Sequence, residues 1–158
     1  MRIGSLSDQE RMGIEAAQLD AYDRALDQLA DLGAEIIQFQ PAKPFEEMKE
    51  AAAVILTAEG YFHHGALMDD PDSLVDENVR PRFKAGADIS SAQYVGALLQ
   101  RDSDRESFSL AMQGIDALAT PTTPMLPTPL TETDELSTPA RFTRAINYLS
   151  MCGTSVPS

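Results

Sequence analysis

The sequence predicts an α/β fold, and three observations lead to this prediction. Residues 1–40 follow the order strand, amphipathic helix, glycine, strand, which is the order of a βαβ unit with parallel strands. Residues 44–113 then offer several helices, which can cover the two faces that a parallel sheet has to bury. The chain has 158 residues, of which 43% are hydrophobic, and this suffices for the core of one domain.

The first strand and the start of the first helix are predicted within residues 2–10. Arg2 to Leu6 form a short, mostly apolar run that favours a strand. Ser7 is a suitable residue to precede a helix, and Glu10 lies three residues later, at the spacing of a capping box. We therefore expect the Ser7 and Glu10 side chains to bond the backbone at this helix start.

The next helix and strand complete the βαβ unit. Between residues 14 and 32 the apolar residues recur at helical spacing, and the aspartates fall largely on the opposite face. Gly33 follows at the position where a glycine commonly ends a helix. Residues 35–40 are typical of a strand, which Pro41 stops.

Three further helices are predicted before the next strand. Pro44 suits the first turn of a helix that is rich in Glu, Met and Ala and reaches about Gly65. The other two helices are predicted over residues 74–85 and 90–112. These helices provide the cover that the sheet needs.

The last part of the chain combines a short strand, a proline-rich segment and a helix. Residues 116–120 are a short apolar run that favours a strand. Five of the ten prolines lie in residues 121–139, which predicts a surface loop, with a PxxP-type ligand as the alternative. Residues 142–149 predict a helix, and residues 154–157 predict the beginning of a strand.

The charge of the chain excludes several classes of function. With 25 acidic and 12 basic residues, the net charge of −13 disfavours binding to nucleic acid or to an anionic membrane surface. No apolar stretch approaches the roughly 18 residues of a membrane span. The N-terminal residues lack the apolar core of a signal peptide, and the single cysteine, Cys152, cannot form an internal disulfide. We therefore expect a cytoplasmic protein.

The residues alone do not define a complete active site. His63 and His64 are adjacent, so they do not share a helix face and cannot jointly bind a metal ion from a helix. Cys152 has no evident histidine partner in the sequence. The glycine-rich motifs that bind phosphates or dinucleotides are absent. We expect neither a metal nor a cofactor.

Five short motifs follow one another from the first residues to the last. They are Arg2-Ile3-Gly4, Thr57 to Tyr61, Arg80 to Gly86 with Tyr94, Arg105 to Phe108 followed by Asp116 to Pro124, and Asn147 to Pro157. In sequence and in order they resemble segments of the amidase-signature family, whose members hydrolyse or transfer carboxamide nitrogen. Ser150 and Cys152 depart from the family pattern, which usually has glycine and proline at these positions.

The resemblance implies a partial mixed sheet covered by helices, the C-terminal portion of the amidase-signature fold. Residues 1–158 would form a single partial amidase-like domain. Its parts would be a βαβ start at 1–40, helices at 44–113, a strand and proline-rich loop at 116–139, and a helix and strand at 140–158. The ligand would be a small amide substrate of the full-length enzyme. Because strand edges and apolar faces would be left open to water, we expect the isolated chain to aggregate, to form a homodimer or to fold only within its parent protein.

The resemblance also implies that the catalytic groups lie outside this chain. The family uses a serine nucleophile, a second serine in a cis peptide and a lysine. No Gly-Gly-Ser-Ser stretch is present, and Lys43, Lys49 and Lys84 do not match the triad lysine. We expect a scaffold and substrate-pocket segment, from a truncated gene or an excised piece, that is inactive alone. An A-subunit-like segment of a glutamine-dependent amidotransferase and a non-catalytic binding protein are the alternatives.

Four residues are candidates for substrate binding, and none is predicted to be catalytic. Arg82 resembles an arginine that, in the amidotransferase branch, holds the carboxylate of the amide donor, a contact that suits a guanidinium group. An ion pair, on the surface or between helices, is the alternative role for Arg82. Tyr61, His64 and Thr122 are predicted to line the substrate pocket.

Overall fold

The computed structural model of the protein describes residues 1–132 and 139–157. Most of the elements are helices, and three short strands form one sheet. In chain order the elements are β1 (Arg2–Leu6), α1 (Asp8–Arg11), α2 (Ala16–Asp31), β2 (Glu35–Phe39), α3 (Phe45–Asp69), α4 (Val79–Lys84), a 3-10 helix (Ala85–Asp88), α5 (Ser91–Ala111), β3 (Ala117–Leu118), a 3-10 helix (Leu130–Glu132) and α6 (Arg141–Tyr148). None of the described helices is both long and apolar enough to cross a membrane.

The three strands form a parallel sheet in the order β2-β1-β3, with β1 in the centre. Ile3 of β1 pairs with Ile36 of β2 on one side and with Ala117 of β3 on the other. Helices connect the strands and return the chain to the same end of the sheet, which makes the pairing parallel. The predicted α/β class is confirmed, although the described strands are all parallel and not mixed.

Aromatic side chains connect the sheet to helices α3, α5 and α6. Phe39, at the end of β2, packs edge-on against Phe108 of α5 with ring centroids 5.2 Å apart. Phe45, at the start of α3, lies 5.6 Å from Phe142 of α6 and 6.2 Å from Phe108. All four rings are at most 2% exposed. Their burial therefore joins all three helices to the sheet in one core.

The helix predicted over residues 74–85 is shorter in the structure. Only Val79–Lys84 is α-helical, and a 3-10 helix follows it. Before it, the Arg80 guanidinium donates hydrogen bonds to the carbonyl oxygens of Met68 (2.7 Å) and Ser73 (3.0 Å). These bonds tie the preceding residues to the end of α3 as a loop, so a helix cannot begin at residue 74.

The predicted capping box at Ser7 and Glu10 is wrong. The Ser7 hydroxyl is buried and has no hydrogen-bond partner among the described residues. The Glu10 side chain is fully buried and accepts hydrogen bonds from the Phe45 backbone N–H (3.3 Å) and from Arg141 (2.7 Å). A buried carboxylate has to be paired and hydrogen-bonded, and here the partners come from α3 and α6 instead of the local backbone.

The strand predicted at residues 154–157 does not form. The chain turns at Ser150, whose φ of 55° is left-handed, and the Met151 N–H donates to the Ile146 carbonyl at 3.1 Å. Residues 150–157 then continue as an exposed, irregular segment. Its described contact with the end of the sheet runs through the Ser155 side chain and not through a backbone ladder.

The described part of the proline-rich segment is anchored to the start of α2. The Glu15 backbone N–H donates to the Pro124 carbonyl at 2.8 Å, and the Leu126 N–H donates to the Glu15 carboxylate at 2.9 Å. The Gln18 amide adds a bond to the Met125 carbonyl at 3.1 Å. These contacts give a loop held on α2, in place of a free PxxP-type ligand. Residues 133–138 of the predicted loop lie outside the described residues.

The buried pair of Glu10 and Arg141 yields the first prediction. Arg141→Met should lower the free energy of unfolding by about 3–5 kcal/mol, because it leaves the Glu10 carboxylate buried without its cation. Arg24→Met removes an exposed arginine from α2 and should change it by less than about 0.5 kcal/mol. Urea unfolding followed by circular dichroism measures both.

A double variant separates the charge from the packing. Glu10→Gln combined with Arg141→Met should lose less stability than Arg141→Met alone, because no buried charge is then left unpaired. Equal losses in the Arg141 and Arg24 variants, or a larger loss in the double variant, would contradict the role of this pair.

Candidate functional site

A cleft of about 630 Å³ lies beyond the carboxyl end of strand β3. Ligands of parallel sheets commonly bind at this edge, because the loops that leave the strands converge there. The described residues that line the cleft are all uncharged. Most of its polar groups are hydroxyls, which come from Thr120 and Thr122 after β3, from Thr143 on α6, and from Ser150, Thr154 and Ser155 in the C-terminal segment.

Thr122 and Ser155 form a polar contact across the cleft. Their Oγ atoms are 2.9 Å apart, and either hydroxyl can be the donor. Both side chains are exposed. One O–H group serves this contact, so the other is available to a ligand, and both oxygens keep acceptor capacity. The pair can therefore donate and accept at once, as a carboxamide requires of its partners.

Tyr22 of α2 fixes the strand ends that lead to the cleft. Its hydroxyl accepts a hydrogen bond from the Leu6 N–H at 2.8 Å and donates to the Ala119 carbonyl at 3.1 Å. Leu6 ends β1, and Ala119 directly follows β3. Burial raises the pKa of Tyr22, so the hydroxyl keeps its proton and both bonds at neutral pH.

Asp104 of α5 holds the C-terminal end of α6, which forms one wall of the cleft. Its carboxylate accepts hydrogen bonds from Tyr148 (2.7 Å), Lys43 (2.6 Å) and Gln100 (2.9 Å). Burial by itself raises the pKa of Asp104, but the bonds from Lys43, Tyr148 and Gln100 outweigh it and hold the pKa below its usual value. Burial and then the bond to Asp104 raise the pKa of Tyr148, so this phenol remains the donor.

A second cavity, of about 840 Å³, lies among α3, the first 3-10 helix and the start of α5. The Tyr61 hydroxyl at its wall donates to the Asp69 carboxylate at 2.7 Å, and Lys84 contacts the same carboxylate at 3.1 Å. The bond to Asp69 raises the pKa of Tyr61. Gly86 packs so closely here that an added Cβ would lie 2.2 Å from the Thr57 carbonyl oxygen.

The structure separates the four predicted substrate-binding residues. Thr122 lines the cleft beyond β3, whereas Tyr61 lines the second cavity. His64 is exposed and lies against the Phe83 ring with centroids 6.2 Å apart. Arg82 is exposed on α4, and among the described residues no side-chain hydrogen bond or ion pair to its guanidinium is found. The four residues therefore do not form one pocket within the described part of the chain.

Sequence reasoning missed Ser155, which lines the cleft, and the pair of Asp104 and Tyr148, which holds its α6 wall. Ser155 lies 33 positions after Thr122, and Tyr148 lies 44 positions after Asp104. A hydroxyl or a carboxylate at such distances leaves no periodic signal, because no local element relates the two positions. Their roles depend on how α6 and the sheet pack together.

The whole chain matches one protein family. The family model described as Amidase matches residues 1–158. The chain belongs to the amidase family. No curated protein sequence matches the chain significantly.

Solved structures of amidase-family proteins have the same fold. A crystal structure of an amidase is 24% identical, with a TM-score of 0.78 over 94% of this chain and 36% of its own. A chain of a vestigial complex linked to the origins of an s-triazine catabolic enzyme, bound to an inhibitor, is 26% identical, with a TM-score of 0.74 over 94% and 34%. A glutamyl-tRNA(Gln) amidotransferase chain from Thermotoga maritima is 19% identical, with a TM-score of 0.60 over 94% and 33%. The chain thus spans about a third of the length of these proteins.

The lowered pKa of Asp104 predicts how this amidase-family chain responds to acid. Because the folded-state pKa lies below the unfolded value of about 3.9, the network stabilises the fold above that pH and is lost as the pH falls through the folded value. The free energy of unfolding of Asp104→Asn should therefore fall less steeply than that of the wild type as the pH is lowered from about 5 to about 2. Asp102→Asn, at an exposed position of the same helix, is the control. Its free energy of unfolding should depend on pH as that of the wild type does. Identical acid profiles for wild type and Asp104→Asn would contradict the network.

The close approach at Gly86 gives a matched pair of glycine substitutions. Gly86→Ala should lower the free energy of unfolding by about 1–3 kcal/mol, because the methyl group has to displace the Thr57 backbone or the Tyr61 side chain. Gly96→Ala, in α5 with open space around it, should raise it by about 0.5–1 kcal/mol. Thermal and urea unfolding test both. An unchanged or increased free energy of unfolding in Gly86→Ala would show that the packing at Gly86 is loose.

Proposed function

We propose that this chain is the scaffold and substrate-pocket part of an amidase-type hydrolase that acts on carboxamide C–N bonds. The observation that carries the proposal is the hydroxyl-rich cleft beyond β3, in a chain that matches the amidase family over its full length. Thr122 and Ser155 supply donor and acceptor groups for an amide substrate. Tyr22 and Asp104 are positioning residues, because they hold the strand ends and α6 in place.

We propose further that the attacking serine and the lysine of the triad come from polypeptide other than residues 1–158. The contacts of the three lysines support this assignment. Lys43 binds Asp104, Lys49 binds Glu46, and Lys84 binds Asp69. A lysine that serves as a general base has to face the nucleophile, either directly or through the second serine. Each of these lysines faces a carboxylate instead.

A hydrolase fits these residues better than the amidotransferase alternative. An amide donor that carries a carboxylate needs a cationic group in its pocket, and Arg82 is the residue proposed for this role. Arg82 does not line the cleft of Thr122, and it does not line the cavity of Tyr61. The likeness to the amidotransferase structure, at 19% identity, concerns the fold alone.

Purified chain should be catalytically silent on its own. The chain is incubated with acetamide, benzamide and glutamine, and the released ammonia is measured. In a second assay, a serine-reactive fluorophosphonate probe labels any activated serine. We expect no ammonia above a heat-denatured sample and no labelling, because no lysine of this chain is available to activate a serine.

The matched variants of this experiment are Ser155→Ala and Thr122→Val, which remove the two hydroxyls of the cleft. They should leave the background unchanged. Ammonia release that scales with chain concentration and disappears in Ser155→Ala would contradict the proposal, because it would place the nucleophile within this chain.

A further inference from the structure

We infer that the cleft of Thr122 and Ser155 selects amides whose non-reacting part is uncharged, an inference that rests on the proposed function. None of the described residues lining the cleft is Asp, Glu, Lys, Arg or His, although charged residues make up 23% of the chain. A carboxylate or an ammonium group placed there would lose hydration without gaining an opposite charge. The cost of that desolvation makes the cleft selective.

The shape and chemistry of the cleft favour a small, partly apolar group. Phe142, Ile146 and Met151 contribute its apolar lining. The hydroxyl pair of Thr122 and Ser155 offers one donor and several acceptor sites to a neutral polar group. A volume of about 630 Å³ accommodates an aryl or short alkyl group, within the range of small-molecule sites.

Two arginines, the side chains best suited to bind a carboxylate, line a cavity other than the cleft. Arg101 and Arg144, together with Glu59, line a space of about 330 Å³ between α3, α5 and α6. Thr143 and Asn147 of α6 border both this space and the cleft. Binding of a carboxylate at these arginines is therefore distinguishable, residue by residue, from binding beside Thr122.

Three probes that share one ring and differ in charge test the inference. Benzamide, benzoate and benzylammonium are titrated into the ¹⁵N-labelled full chain at about 0.15 M salt, which screens the acidic surface beyond ~8 Å. We expect benzamide to shift the backbone resonances of Thr122, Met151 and Ser155, and to bind there at least about threefold more tightly than either ion. Benzoate binding that shifts only resonances around Arg101 and Arg144 agrees with the inference.

Thr122→Val combined with Ser155→Ala removes both hydroxyls of the pair. This double variant should weaken benzamide binding about two- to tenfold, the effect of one lost hydrogen bond, because no hydroxyl of the pair is left to donate or accept. The control is Thr131→Val, at an exposed position in the second 3-10 helix and outside the cleft, which should bind benzamide as the wild type does.

Three results would overturn the inference. They are benzoate or benzylammonium binding beside Thr122 as tightly as benzamide, unchanged benzamide binding in the double variant of Thr122 and Ser155, and no shift with any probe. Failure of the proposed function is detected by a different assay, as ammonia release by the purified chain. That result does not change the binding measured in these titrations.

Discussion

The buried Glu10 carboxylate joins three parts of the chain that are far apart in sequence. It follows β1 in α1, it accepts the backbone N–H of Phe45 at the start of α3, and it pairs with Arg141, 131 positions away. Arg141 also donates to the Met12 carbonyl at 2.8 Å. Since an unpaired buried carboxylate is costly, this arrangement fixes where α3 begins and where α6 lies relative to the sheet.

Helix α6 depends on carboxylates at both of its ends. Its first residue, Arg141, binds Glu10, and its last residue, Tyr148, donates to Asp104. A helix of 8 residues is too short to be stable by itself, so its position comes from these two anchors and from the burial of Phe142 and Ala145. The wall of the cleft that α6 provides is therefore a product of tertiary contacts.

The parts of the fold that the sequence predicts are those with a local cause. Helix α2 follows from apolar spacing, and Gly33, with φ of +92°, ends it as expected. Glu10 is the opposite case, since its spacing from Ser7 suggests a local cap while its real partners lie on α3 and α6. Likewise, Arg80 turns part of a predicted helix into a loop through carbonyls that precede it in the chain.

In the candidate site, too, one part can be predicted from the local sequence and the other part cannot. The family pattern places Thr122 in the segment that follows β3, four positions after Leu118, and the cleft is found there. Its partner Ser155 follows from the turn at Ser150 and from the anchoring of α6, and neither can be read from the sequence around residue 155. The local sequence thus predicts where the strands end, whereas the opposite wall of the cleft is positioned by contacts between residues far apart in the chain.

Native-state hydrogen exchange tests most directly whether buried carboxylates hold α6 as a wall of the cleft. The amides of Ala145, Leu149 and Met151 are followed together with those of strand β1 under conditions where reclosing is much faster than chemical exchange, so that the exchange rate reports the free energy of opening. We expect the α6 amides to open with a free energy close to that of β1, because both belong to one core. Exchange of the α6 amides at the rate of an unstructured peptide, with β1 still protected, would contradict this account.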